Sequence, residues 1–183
     1  SPDGELSALA EFTFSSGKLE LTLLNTSPVT ATNPGMLLTG VFFKLEAPVS
    51  LRPVSGELSS GSTFVGSQQS LPSHAVGANW GYDSHFQFAG GWWMGVGSAG
   101  MDVFGKGSFG CGGKGNPCNN VNGPNYSIVP SVFEPNHGVP PMKPAIRNGI
   151  VLTWEADAAP VITDVWFNFG TVLAEGGFYG KEL

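Results

Sequence analysis

Glycine and proline interrupt this sequence so often that an α-helix has nowhere to grow. No stretch longer than about ten residues combines good helix formers with freedom from both breakers. Of 183 residues, 27 are Gly and 14 are Pro. The backbone must therefore satisfy its hydrogen bonds mainly between strands. The chain has the side chains for a core, because 41 % of it is hydrophobic and it carries 13 Phe, 5 Trp and 3 Tyr. A disordered chain would be poor in aromatics and rich in charge. Here charged residues are only 12 %, about half the usual 25 %. The net charge is −6 with eight basic residues, and these are scattered, so no cluster offers the phosphate neutralisation that nucleic-acid binding needs. No apolar run approaches the roughly 20 residues of a membrane-spanning helix. The length predicts one domain over residues 1–183, large enough to bury about 70 % of its unfolded surface.

Period-two patterning locates the strands. Phe12, Phe14, Leu19, Leu21 and Leu23 alternate with Thr13, Lys18, Glu20 and Thr22, the mark of strands with one buried face. Ser15-Ser16-Gly17 divides them into a hairpin. The five apolar residues are expected on one core face. Met36–Leu45 is almost continuously apolar, as in a central strand covered on both sides, and Gly40 within it predicts a bulge or close backbone approach. Trp80 with Tyr82, and Phe86 with Phe88, suggest two short strands. Gly90–Gly115 is the most glycine-dense stretch and predicts a long irregular excursion with one helical turn near Ser98–Phe104. Tyr126–Phe133 reads as a strand interrupted by Pro130, and 134–144 as a loop. Ile146–Glu155 and Val161–Gly170 read as strands, with a last short one in 172–179. About eight to ten strands with turn signals between them predict an all-β fold, an antiparallel β-sandwich or jelly roll with a long Gly-rich loop excursion.

Few side chains in this sequence form a constellation fit for chemistry. Cys111 and Cys118, the only cysteines, are spaced Cys-x6-Cys. That spacing fits neither a four-ligand zinc site nor a Cys-x-x-Cys redox pair. A structural disulfide pinning the glycine-rich loop is the expectation; two reduced thiols are the alternative. His74, His85 and His137 have no accompanying nucleophile motif, since Gly95-Val96-Gly97-Ser98-Ala99-Gly100 only approaches Gly-x-Ser-x-Gly. Glu155 and Asp157 fall on one face of a strand end rather than across a cleft, as a glycosidase pair would. Asp157 and Asp164 flank a turn; with backbone carbonyls they could hold Ca²⁺, or they are plain turn carboxylates. Trp80, Tyr82, Trp92 and Trp93 have two readings. They fill a core or a subunit contact, or they expose flat rings on which a sugar stacks. Adjacent Trp92 and Trp93 cannot both face inward on a regular strand. The expectation is a non-enzymatic protein with no cofactor.

The motif Phe14-x-x-Gly17-x-Leu19-x-Leu21-x-Leu23-x-Asn25-Thr26, followed by Leu37-Leu38-Thr39-Gly40-Val41-Phe42-Phe43, resembles the N-terminal half of bacterial exosortase-sorted (PEP-CTERM-type) surface proteins. Gly100-x-x-Val103-Phe104-Gly105 is similar to their mid-chain segment, and Val165-Trp166-Phe167-Asn168-Phe169-Gly170-Thr171 to their closing strand. Members usually carry a Pro-Glu-Pro sorting signal, an apolar helix and a basic tail, none of which lies within residues 1–183. The resemblance implies export, a place on the bacterial cell surface or in extracellular matrix, and no enzymatic role. Sparse charge leaves little to guard sheet edges, and the stretch from Trp80 to Phe109 is long enough to reach across a contact. Both predict self-association through terminal-strand exchange into a filament or layer. The rival expectation is a carbohydrate-binding module whose partner is a surface polysaccharide.

Overall fold

The structure, a computed structural model, describes residues 6–66, 76–134 and 144–182. The N-terminal hairpin forms as its alternation dictates. Strands β1 (Ala8–Ser15) and β2 (Lys18–Asn25) pair from Ala8↔Asn25 to Ser15↔Lys18. Ser16 and Gly17 make the two-residue turn with φ of 51° and 74°, the twist that suits a hairpin. Leu19, Leu21 and Leu23 are buried, while Lys18 and Glu20 are exposed. Phe12 packs edge-to-face on Phe43 with centroids 5.2 Å apart. Phe14 departs from the expected face: it pairs with Leu19 but is 37 % exposed, because the hairpin tip runs past the layer that would cover it.

The remaining strands are β3 (Leu38–Leu45), β4 (Leu51–Leu58), β5 (Thr63–Val65), β6 (Gly81–Phe88), β7 (Gly91–Gly97), β8 (Ile128–Val129), β9 (Ala145–Arg147), β10 (Gly149–Ala156), β11 (Ile162–Phe169) and β12 (Gly176–Tyr179), with one helical turn, α1 (Met101–Phe104). The first sheet runs β1-β2-β10-β4; the second runs β12-β11-β3-β8-β9-β5, with β7 also on β3 and β6 outside β7. The two sheets enclose one core. Leu19, Leu21, Leu23, Ile150, Leu152 and Trp154 of the first meet Leu38, Val41, Phe43, Phe167 and Phe169 of the second. This is the all-β sandwich that the patterning predicts. It is not antiparallel throughout, because β8 and β9 pair parallel, across a connection long enough for a crossover.

Three local expectations are corrected. The segment 146–155 is two strands, one in each sheet. The chain crosses between them at Asn148 with φ of 82°, a left-handed position that Asn tolerates better than most residues. The expected strand Tyr126–Phe133 shrinks to β8, since Tyr126 turns at φ of 60° and Pro130 ends the ladder. The stretch Gly90–Gly115 is not irregular from its start. Its first residues are β7, which pairs with both β3 and β6. Glycine is required there: a Cβ on Gly95 would lie 2.5 Å from the Phe86 ring and one on Gly97 2.9 Å from the Phe104 ring. Gly40 makes the close approach expected of it, with Val96 O 2.8 Å from where its Cβ would be.

The rest of the excursion folds back on its own sheets instead of reaching outward. Ser108 donates its N–H to Trp80 O at 2.9 Å and Asn119 donates to Ala78 O at 2.9 Å. Phe109 drops into the main core, its ring 5.1 Å from that of Trp154. The excursion thereby closes the gap between β4 and β6, along a seam where Gly56, Gly77 and Gly107 let backbones touch.

Candidate functional site

Beyond the sandwich core, the outer face of the second sheet carries an aromatic layer. Phe42, Trp166 and Tyr179 lie in one row across β3, β11 and β12, through the pairs Phe42↔Trp166 and Trp166↔Tyr179. The β6–β7 hairpin curls over this row. Its register slips between Asp83 and Phe86, a bulge that sharpens local twist. Phe88 then sits 4.9 Å from Phe42 and 5.5 Å from Trp166, centroid to centroid. Trp93, only 3 % exposed, packs between Phe88 and Tyr179. Lys44 Nζ stands 4.6 Å above its ring, and 3.7 Å from Asp164 Oδ2.

The four aromatics singled out in the sequence are thus divided. Trp80 is wholly buried, and its indole N–H donates to Tyr126 O at 3.1 Å. Tyr82 packs against Trp154, centroids 5.7 Å apart, and burial, with a smaller contribution from Asp83, pushes its phenol well above the usual range. Trp93 belongs to the outer layer. Trp92 alone faces water, at 58 % exposure, on the opposite face of β7 from Trp93 as strand alternation requires. It is stacked on His85, 4.1 Å between centroids and 11° from parallel. Asp83 Oδ1 accepts the His85 backbone N–H at 2.9 Å and holds the bulge that brings the imidazole over. The sequence reading missed this stack. The Phe88-Ala89-Gly90-Gly91 turn signals a hairpin, but the bulge that brings His85 over Trp92 has no local signal. The sequence reading also passed over Tyr179, 52 % exposed at the rim of the aromatic layer.

The arrangement offers a flat π surface backed by an imidazole on an outward hairpin. Such a surface stacks on a sugar ring or on an apolar patch of another protein. The other groups named in the sequence lie apart from it. Cys111 and Cys118 sulfurs are at bonding distance, with Cα atoms 5.1 Å apart, on the excursion just beyond Phe109. Asp157 Oδ1 accepts the Ser50 N–H at 2.9 Å, whereas Asp164 faces Lys44 and the Thr163 hydroxyl. Glu155 pairs with Arg52. Among the described residues no group of three or more His, Cys, Asp or Glu side chains gathers as a metal site would need. His74 and His137 lie outside the described residues. No described helix is long and apolar enough to cross a membrane. Comparison with protein-family models, with curated proteins and with solved structures finds no match to this chain.

Proposed function

We propose that this protein is a secreted, non-enzymatic structural component of a bacterial cell surface or extracellular matrix, and that it self-assembles into a filament or layer. The observation that carries the reading is where the terminal strands lie. β1 is an outer strand of the first sheet and β12 an outer strand of the second. Each leaves one side of its backbone open to a further strand, and terminal strands added or exchanged between copies join subunits through main-chain hydrogen bonds. A head-to-tail contact of that kind propagates. The cysteine pair fits an oxidising compartment, and the resemblance to exosortase-sorted proteins favours the bacterial surface. Electron microscopy of natively secreted protein tests the proposal. Filaments or ordered layers are expected; dispersed single particles at every concentration contradict it.

The exposed Trp92 ring favours a second reading, a carbohydrate-binding module for surface polysaccharide. Titration of polysaccharide against the intrinsic tryptophan emission distinguishes the two. A saturable shift that disappears in Trp92→Ala supports the module, and an unchanged spectrum removes it.

A further inference from the structure

The outer strands are not equally protected. β4 contains Pro53, has a register slip against β10, and uses its Gly56 carbonyl to accept the Val76 N–H at 2.8 Å. β6 is bulged, and its Tyr82 N–H is taken by Ser108 Oγ at 3.1 Å. β5 has three residues and β12 four, so each offers fewer open backbone groups than β1. β1 differs from all of these. It runs eight residues, Ala-Leu-Ala-Glu-Phe-Thr-Phe-Ser, in unbroken register on β2. It holds no Pro, Lys or Arg, and Glu11 is its one charge. Pro, Lys and a bulge are devices by which natural edges avoid pairing, and β1 has none of the three.

The hydrogen-bond parity of β1 follows from its neighbours. Asn25 donates to Asn148 O at 3.0 Å and Thr26 to Ser7 O at 2.9 Å. Odd residues of β2 therefore bond β10 and even ones bond β1, so it is the odd residues of β1 that bond back to β2. Ala8, Ala10, Phe12 and Phe14 direct their N–H and C=O groups away from the sheet. Their side chains lie on the core face, where Ala8, Ala10 and Phe12 pack.

We infer that β1 is a docking edge for the β1 strand of a second copy, the two running antiparallel about a two-fold axis at Phe12, so that the first sheet continues across the dimer. The inference deepens the self-association in the proposed function and rests on it: the two-fold β1 contact joins copies in pairs, and growth beyond a pair uses a second contact at another edge. The register follows from charge and cover. With Phe12 opposite Phe12, Ala10 lies opposite Phe14 and Glu11 opposite Thr13, and the overlap runs from Leu9 to Ser15. Centring on Glu11 instead would place the two Glu11 residues directly opposite, with Cα atoms about 4.5 Å apart, a like-charge pair that is destabilising. Centring on Ala10 would place Phe14 opposite Leu6, beyond the start of β1, and shorten the paired ladder. The chosen register covers Phe14, the one large apolar side chain of β1 that the monomer leaves exposed.

Sedimentation equilibrium on the intact protein, its Ala10→Pro variant and two Thr13 variants tests the inference. Ala10→Pro removes an N–H that the β1–β2 ladder does not use, and proline is tolerated on an edge. Native protein is expected to form a species of twice the 19.1 kDa chain mass or larger, and Ala10→Pro to lose that step while keeping its thermal midpoint within a few degrees. Thr13 is exposed, so its variants keep the fold should Ala10→Pro not. Thr13→Lys, opposite Glu11, should tighten association about two- to tenfold, and Thr13→Glu should loosen it by a similar factor. If native protein associates but none of the variants changes it, the β1 edge is the wrong contact and self-association stands. If native protein is monomeric throughout, both fail.

Discussion

Gly77 and Phe109 meet so closely that a Cβ on the glycine would stand 2.2 Å from the Phe109 carbonyl oxygen and 2.5 Å from its Cβ. This contact seats the glycine-rich excursion against the sandwich. It explains why a chain with so many glycines is not loose there: several of them are places where two backbones touch.

Gly77→Ala should therefore cost about 1–3 kcal/mol by overpacking, read from urea unfolding. Gly113→Ala, in the same excursion with no atom within 4 Å of its added Cβ, should change stability by less than about 0.5 kcal/mol. Equal effects at the two positions would mean that the seam is not closed.

The Cys111–Cys118 pair closes its ring just past Phe109. Intact mass should lie about 2 Da below that of the fully reduced protein. Reduction should cost about 2–3 kcal/mol on the loop-entropy account and raise proteolysis within 105–120. Two thiols titrating in protein isolated without reductant would refute the bond.

In the N-terminal hairpin, Leu21→Ala should cost about 2–5 kcal/mol, because Leu21 is fully buried. Phe14→Ala should cost the monomer less than about 1 kcal/mol. A reversed order would mean that the register is slipped by one residue, which would turn the whole face outward.

Two titrations should appear in opposite directions. The Glu175 carboxylate accepts the N–H groups of Thr171 and Val172 and the Thr171 hydroxyl, and the Thr171 backbone bond leads in holding it below its usual range. Its contribution is present above the unfolded value of about 4.3 and lost as pH falls through the lower folded value. Because Glu175 is exposed, the effect is small, seen as loosening of the β11–β12 turn in acid by NMR and absent in Glu175→Gln. Tyr82 is the reverse. Its raised phenol contributes stability that is complete below the unfolded value of about 10 and falls away as pH rises beyond it. Ultraviolet titration should show two of the three phenols, Tyr82 and Tyr126, both raised by burial, resisting ionisation beyond the usual range.

The parts of the fold that were legible in the sequence were those whose pattern is local. Alternation placed the N-terminal hairpin, a continuous apolar run placed β3 in the middle of a sheet, and the helical turn at Met101–Phe104 fell within its expected span. What was not legible depends on distant partners. β7 looks like loop because Gly95 and Gly97 are there for the sake of Phe86 and Phe104. The switch of sheets at Asn148 turns on one left-handed residue within a stretch, Ile146–Glu155, that reads as a single strand. Phe14 alternates correctly but lies beyond the covering layer. At the candidate site, the inward–outward split of Trp92 and Trp93 was readable from strand geometry. The His85 partner was not, because a bulge at Asp83–Phe86 sets it.

Copies of this chain are proposed to bind one another through their sheet edges. Light scattering on the purified protein, across a concentration series, measures that self-association. The mean mass is expected to climb above 19.1 kDa with concentration. A mass fixed at the single-chain value at the highest concentration reached would contradict it.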